Sequence, residues 1–118
     1  MLKIKSFYKQ PPEIEIGNRE YKWKLYQLDN HKLEKFISQM KYRLYEGNGK
    51  ALYIIGILDN GIPIGITDDE LFLSINQIIK VVQILNAKIK NIRYYNGIEG
   101  NIATLQIIID KLEENMYI

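Results

Sequence analysis

The chain has 118 residues, 47% hydrophobic and 25% charged, a composition typical of one soluble globular domain. It contains no cysteine and a single histidine, His31, which excludes disulfides, thiol nucleophiles and zinc sites built on thiolates or several histidines. No apolar run is long enough to span a membrane and no signal-peptide pattern opens the chain, so we expect a cytoplasmic protein without a membrane partner.

Positive charge is concentrated in the first half of the chain. Residues 1–50 hold 11 lysines and arginines against 6 acidic residues, whereas residues 51–118 hold 5 against 8. A cationic surface attracts phosphate groups, so we expect any contact with nucleic acid to involve the first half. An ordinary solvent-exposed surface that binds no ligand explains the same surplus of lysine and arginine.

The N-terminal segment lacks a sustained hydrophobic period. Residues 1–18 contain two consecutive prolines, which stiffen an extended chain, so we predict an N-terminal arm with a short strand at 14–16. Residues 20–28 alternate between apolar and basic or aromatic side chains. This alternation predicts a half-buried strand with Lys22 and Lys24 on its outer face.

A first helix is predicted from Asp29-Asn30 to about Glu46. Asp29 is a good N-terminal cap, and the apolar residues that follow are spaced by three and four positions. The glycines at 47 and 49 end the helix, because glycine adopts the left-handed conformation easily. Three further candidate side chains occupy the predicted outer face of this helix: Lys35, Tyr42 and Arg43.

The middle of the chain carries the strongest local signals. Residues 51–58 are continuously apolar and predict a buried strand, and Asn60-Gly61 predicts a two-residue turn with positive φ at both positions. Isoleucines alternate through 62–66, which predicts a return strand. Thr67 and Glu70 then have the spacing of a capping box, which predicts the start of a second helix.

The second helix is predicted to run from Asp68 to about Leu85. Its core stripe does not account for all of its apolar residues, and three of those that remain are Leu73, Val81 and Ile84. Either the N-terminal arm covers these residues, or they dock on a neighbouring domain or on a second copy of the chain.

Two strands complete the predicted fold, at 87–95 and 102–111. The resulting order is strand, helix, strand, strand, helix, strand, strand. Two helices cannot cover both faces of such a sheet, so we predict an α+β fold. Its architecture is a two-layer sandwich, with a mixed sheet of about five strands and both helices on one face. This single domain occupies residues 19–112.

Several short motifs resemble one family of proteins. They are Pro11–Lys22 (PPEIEIGNREYK), Gln39–Leu44 (QMKYRL) followed by Glu46-Gly47, Tyr53–Ile57 (YIIGI), the turn Asp59–Gly65, the acidic start of the second helix, and Leu85-Asn86-Ala87. Together they cover roughly residues 10–112. The set resembles the domain that precedes the GTPase module in the group of GTP-binding proteins one and two, which are elongation-factor-like translational GTPases.

This resemblance implies a non-catalytic N-terminal domain of a longer protein. Residues 113–118 would then begin a linker to a GTPase domain that is missing from this sequence, and GTP and Mg²⁺ are expected only in that domain. The chain contains no GxxxxGK[ST] motif, and Gly47–Lys50 lacks the first glycine and the spacing of one. The partners implied are the downstream GTPase domain and RNA or the ribosome.

A more distant resemblance links the same residues to AlbA-like and Schlafen-type nucleic-acid domains. In the nuclease members of that group, three acidic residues hold a divalent metal, and the positions that fit here are Glu15, Glu20 and Asp59. Carboxylates suit Mg²⁺ or Mn²⁺, which could activate water at a phosphodiester. The alternative is that these are ordinary solvated carboxylates at strand ends and turns.

The sequence is therefore compatible with three functions. The first is a non-catalytic accessory domain that contacts RNA through Lys22, Lys24, Lys35, Tyr42 and Arg43. The second is a metal-dependent ribonuclease that uses the acidic trio. The third is a stand-alone interaction module. Self-association is left open by all three.

Overall fold

A computed structural model describes residues 3–110 as a five-stranded sheet with two helices, which confirms the predicted α+β class and the number of helices and strands. The elements are β1 (Lys3–Ser6), β2 (Arg19–Lys22), α1 (Asn30–Glu46), β3 (Lys50–Ile55), α2 (Asp68–Ile84), β4 (Lys88–Asn96) and β5 (Asn101–Ile108). The strands lie in the spatial order β1-β4-β5-β3-β2. The pairs β1–β4 and β2–β3 are parallel, and the other two pairs are antiparallel.

The helices begin where the sequence predicts. The Asp29 carboxylate accepts a hydrogen bond from the Lys32 amide at 2.8 Å and caps α1. At the start of α2, the Thr67 hydroxyl accepts the Glu70 amide, and the Glu70 carboxylate accepts the Thr67 amide. These reciprocal bonds satisfy amides that have no partner inside a helix, so each cap stabilises its helix by about 1 kcal/mol.

Both helices pack on one face of the sheet. Side chains from α1 and α2 form one apolar cluster with alternate residues of the two inner strands, Ala51, Tyr53 and Ile55 on β3 and Ala103, Leu105 and Ile107 on β5. Successive residues of a strand point to opposite faces, so this set defines the helix side of the sheet. The two-layer sandwich is therefore the observed architecture.

A smaller apolar cluster lies on the other side of the sheet. It contains Tyr21, Ile54, Ile57 and Ile102, and Phe7 of the N-terminal segment packs against it. Backbone hydrogen bonds tie the same segment down along its length, from Phe7 to Asn96, from Gln10 to Gly61 and from Glu13 to Asp59. The predicted arm is therefore an integral part of the domain, which begins at β1 and not at residue 19.

The order of the elements differs from the prediction. Two strands precede α1, because Lys3–Ser6 joins the sheet beside β4. The predicted return strand at 62–66 does not form, and only Ile66 makes an isolated bridge, to Asn101. Pro63 cannot donate a ladder hydrogen bond, and the Pro63 and Ile64 carbonyls instead accept amides from the loop between β4 and β5.

The turn after β3 also differs from the prediction. Gly61 has φ +91°, but Asn60 is not among the residues with positive φ. The Gly61 amide bonds the Leu58 carbonyl, and the Leu58 amide bonds the Ile62 carbonyl. This is a three-residue turn with a left-handed glycine, the type I turn followed by a bulge, and not the two-residue turn.

Two smaller predictions about the first part of the chain are wrong. Residues 14–16 form no strand, and Ile14 and Ile16 are exposed. The strand predicted at 20–28 is confined to Arg19–Lys22. The linker predicted at 113–118 lies outside the described residues, and within 3–110 neither helix is long and apolar enough to cross a membrane.

Candidate nucleic-acid interface

The sheet presents one face that carries no helix, which we call the open face. The pairing registers place on it Arg19 of β2, Lys50 and Leu52 of β3, and Gln106 of β5. Asn91, Arg93 and Tyr95 of β4 lie on the same side, because each pairs with a β5 residue of that face. Strand alternation and the pairing registers together therefore gather polar and basic side chains from four strands on one surface.

Two shallow depressions run across the open face and share Leu52 and Gln106. The first, of about 230 Å³, lies between Arg19 and Arg93 and ends at Phe7 and Tyr95. The second, of about 260 Å³, lies between Lys50 and Lys90. The two depressions are therefore adjacent on the open face, and we call them together the path.

The path is cationic. Four basic side chains line it, and among the described residues no carboxylate lines either depression. All four are exposed: Arg19, Lys50, Lys90 and Arg93. An Arg19 Nη donates a long hydrogen bond, 3.4 Å, to the Gln10 amide oxygen. Unpaired cations in a concave surface attract an anionic ligand.

Aromatic and amide groups accompany the charges. The rings of Phe7 and Tyr95 meet edge to face with centroids 5.0 Å apart, and both are half-buried at one end of the path. At its centre, the Asn91 amide donates to the Gln106 amide oxygen at 2.9 Å. Planar groups of these kinds stack on bases or hydrogen-bond to their edges.

The structure places the predicted lysines next to carboxylates. Lys22 Nζ lies 3.5 Å from the Glu20 carboxylate and 5.1 Å from the centre of the Phe36 ring, on the helix side of the sheet. Lys24 Nζ lies 2.8 Å from the Glu70 carboxylate. The Lys24 ammonium, together with the Thr67 amide, holds the pKa of Glu70 below its usual value. Each lysine therefore already has an anionic partner within the domain.

Arg43 is in the interior, not on the outer face of α1 where the sequence placed it. Its side chain is 4% exposed, and its Nε donates to the Glu20 carboxylate at 2.8 Å. Its two terminal nitrogens donate to the backbone carbonyls of residues 14–17 at 2.9 to 3.3 Å. Every nitrogen of the guanidinium is thus bonded within the domain, where it holds the N-terminal segment on α1. Arg43 is therefore no longer a candidate for contact with RNA.

The other two predicted contacts lie on the helix layer. Lys35 is exposed on α1, and Tyr42 is half-buried, with its hydroxyl 3.3 Å from the Glu46 carboxylate. The Tyr42 ring also contacts the Arg43 guanidinium, 5.6 Å from its centroid. Neither residue belongs to the open face, so the five predicted contacts do not form one surface.

The acidic trio is not brought together as a metal site. Glu20 is buried against Arg43, whereas Glu15 and Asp59 are exposed. Within residues 3–110, no three histidine, aspartate or glutamate side chains are grouped so that they could hold a metal ion. The carboxylate beside Glu20 is Glu13, and burial together with the charges of Glu20 and Asp59 raises its pKa.

The apolar residues of α2 separate into two environments. Val81 is fully buried in the main core, so its predicted role in docking is wrong. Leu73 and Ile84 are each 48% exposed, so the N-terminal segment does not cover them. They remain candidates for contact with another domain.

A larger groove, of about 770 Å³, lies at the N-terminal end of α2. Its lining includes Trp23 and three carboxylates, those of Asp68, Glu70 and Glu99. Such a lining repels phosphate, so this groove is a poor site for the anionic partner that the open face attracts.

None of the four cations that line the path is among the RNA contacts predicted from the sequence. The signal available in the sequence was the alternation of basic and apolar residues along residues 88–95. That alternation gives the two sides of a strand, but only the register shift between Ile89 and Asn91 and the pairing with β5 show which side faces away from the helices. Arg19 and Lys50 stand at strand starts, where alternation carries little information.

Comparison with known proteins finds similarity to GTP-binding protein 2. The chain is 40% identical over 110 residues to GTP-binding protein 2 of Mus musculus, covering 89% of this chain and 18% of that protein. It is also 40% identical over 83 residues to GTP-binding protein 2 of Homo sapiens, covering 70% of this chain and 14% of that protein. The chain thus spans less than a fifth of these relatives. Homology at this level links it to the GTP-binding protein group.

A third relative is viral. An uncharacterized protein of Acanthamoeba polyphaga mimivirus is 28% identical over 108 residues, which cover 91% of this chain and 58% of that protein. No protein-family model matches the sequence. No solved structure matches it significantly.

Proposed function

We propose that this chain is a non-catalytic accessory domain of a longer, elongation-factor-like translational GTP-binding protein. The observation that carries the proposal is the 40% identity over 110 residues that make up 18% of mouse GTP-binding protein 2. A stretch of this size, with its own apolar core, has the dimensions of one domain within a multidomain protein.

The loop geometry supports a domain that does not itself bind GTP. A phosphate cradle needs a glycine-rich loop whose amides are free and which opens a helix. In Gly47–Lys50 the amides instead bond the carbonyls at the end of α1 and within the loop, at 2.7 to 3.2 Å. The loop therefore ends a helix and has no amides to offer a nucleotide, so GTP and Mg²⁺ are assigned to another part of the full protein.

Two surfaces are available to partners under this proposal. Leu73 and Ile84 offer half-exposed apolar side chains on α2, suited to the adjoining GTP-binding domain. The open face offers cations, suited to RNA or to the ribosome. The two surfaces lie on opposite layers of the sandwich, so one domain could engage both partners at once.

The proposal is tested by asking which part of the full-length protein binds GTP. Binding of a fluorescent GTP analogue is measured for this chain, for mouse GTP-binding protein 2, and for a variant of the mouse protein from which the matching residues have been deleted. We expect the chain not to bind, and the deleted mouse protein to retain the affinity of the intact protein.

Two results would overturn this assignment. One is saturable binding of GTP by the chain alone. The other is loss of GTP binding by the deleted mouse protein while size-exclusion chromatography and a cooperative thermal transition show that it remains folded. An ATP analogue serves as the matched control for non-specific nucleotide binding.

A further inference from the structure

We infer that the open face binds single-stranded RNA, with Arg19, Arg93, Lys50 and Lys90 contacting phosphates along the path. The inference deepens the RNA contact included in the proposed function and rests on it. Its test requires no GTP, so the failure of one can be told from the failure of the other.

The basic side chains of the open face line a concave surface to which no described carboxylate contributes, which makes this face the best candidate for binding RNA. The net charge of the chain is only +2, so no general excess of charge favours every surface equally. Lys22, Lys24 and Arg43 are each held by a carboxylate within the domain. In contrast, the cations of the path face a lining without carboxylates. A polyanion can neutralise them without first breaking an internal ion pair.

The shape of the path favours an extended ligand. Pockets for small molecules typically enclose about 300–1,000 Å³, whereas the two depressions here measure about 230 and 260 Å³ and are open to solvent. Because Leu52 and Gln106 line both depressions, an extended ligand that crosses these two residues can contact the lysine end and the aromatic end at once. A phosphodiester backbone has this extended form and repeats its charge along it.

The groups in the floor favour a single strand over a duplex. The edge-to-face rings of Phe7 and Tyr95 lie at one end of the path, and the amides of Asn91 and Gln106 lie at its centre. Bases reach such groups only when they are unpaired, and stacking on an aromatic ring contributes about 1–3 kcal/mol per base. A duplex would present its backbone and leave the rings and amides unused.

The experiment measures fluorescence anisotropy with three labelled ligands of similar charge: a mixed-sequence single-stranded RNA of about twelve nucleotides, a duplex RNA, and polyglutamate. We expect the chain to prefer the single strand. Four phosphate contacts at about −0.7 each predict that log K falls with log salt with a slope of about −3.

The variants locate the site. Arg19→Gln with Arg93→Gln should weaken RNA binding by tenfold or more and reduce the slope by about 1.4. The matched control is Lys32→Gln with Lys80→Gln, which removes two exposed charges from the helices and should change affinity by less than twofold. If the arginine variant fails to fold by circular dichroism, Lys50→Gln with Lys90→Gln tests the same path.

Four outcomes would overturn the inference. They are the absence of RNA binding at low salt, equal losses in the path variant and the helix control, duplex binding as tight as single-strand binding, and equal affinity for polyglutamate. The last would show that the face accepts acidic protein segments as readily as RNA.

Discussion

The guanidinium of Arg43 connects α1 to a stretch of backbone that has no regular structure. Residues 14–17 form no strand, so their carbonyl groups need partners from elsewhere, and Arg43 supplies one to each of them. The same side chain neutralises the buried Glu20. One residue thus satisfies a charge and four backbone acceptors, a task that suits the fixed fork of arginine better than the single ammonium of lysine.

Arg43→Met should lower the free energy of unfolding by about 3–5 kcal/mol, because it removes the donors to four carbonyls and leaves the buried Glu20 with only the Lys22 ammonium, 3.5 Å away, as a counter-charge. Arg43→Lys should fall between the two proteins, since an ammonium can pair with Glu20 but cannot span the carbonyls. Urea denaturation measures these differences. The control is Lys32→Met at an exposed position of the same helix, expected within about 0.5 kcal/mol of the wild type. A wild-type midpoint for Arg43→Met would contradict the structural role.

The surroundings of Glu13 disfavour its ionised form. Its carboxylate accepts the amide of Tyr21, which lowers its pKa, but burial raises the pKa by more, and the charges of Glu20 and Asp59 add to the increase. The folded protein therefore binds a proton at Glu13 more readily than the unfolded chain does. Stability from this group is full below its ordinary pKa of 4.5 and is lost as the pH rises through the raised value.

Glu13→Gln should therefore gain stability relative to the wild type as the pH rises. The glutamine oxygen can still accept the Tyr21 amide, and the neutral side chain removes the repulsion from Glu20. We expect similar urea midpoints near pH 3.5 and a higher midpoint for the variant at pH 7. Glu34→Gln, at an exposed position on α1, is the charge-matched control. A variant that loses stability on going from pH 3.5 to pH 7 more than the wild type does would refute this account.

At the scale of elements, local signals predicted the ends of helices better than the pairing of strands. The cap at Asp29 and the capping box of Thr67 and Glu70 involve residues three positions apart, so the sequence contains all the groups that take part. β1 could not be recognised in this way. Lys3 pairs with Tyr94, and nothing near Lys3 in the sequence indicates that partner.

The turn at Asn60-Gly61 shows why a correct motif can still give a wrong geometry. Asn-Gly suits both the two-residue turn and the glycine position of the longer turn. The structure selects the longer one, in which the Asn60 side chain accepts the Ile62 amide and the Gly61 carbonyl accepts the Gln10 amide. Gln10 is distant in sequence, so this contact could not be predicted from the residues of the turn. Pro63, in contrast, was an available signal against the return strand.

The candidate site was less predictable than the fold. The sequence places both Lys35 and Arg43 on the outer face of α1, and the structure confirms this placement for Lys35 only. Lys22 and Lys24 alternate as a basic outer face should, yet carboxylates of β2 and α2 neutralise them. The four cations of the open face come from three strands, β2, β3 and β4, and only the sheet order brings them together. A surface assembled from four strands has no signature in any one of them.

At the scale of the whole molecule, the N-terminal segment closes one end of the open face. β1 extends the sheet beyond β4, and Phe7 joins the small apolar cluster through its contact with Tyr95. The aromatic end of the proposed RNA path is therefore shared between the segment and the sheet. The segment should unfold with β4 as a local unit, while β3 and β5 at the centre of the sheet stay protected.

Phe7→Ala should loosen this unit without unfolding the domain. Losing the ring contact and half-buried apolar surface should cost about 1–2 kcal/mol of local stability, which raises amide exchange in β1 and β4 by roughly 5–30-fold. Hydrogen exchange measured by mass spectrometry follows peptides from β1, β4 and β5 separately. Tyr8→Ala is the matched control, since its ring is 73% exposed and outside the cluster, and it should leave exchange unchanged. If β1 amides exchange without protection in the wild type, the segment is not part of the folded unit. In that case Phe7 cannot contribute to the RNA path, and only the cations of the open face would contact the RNA.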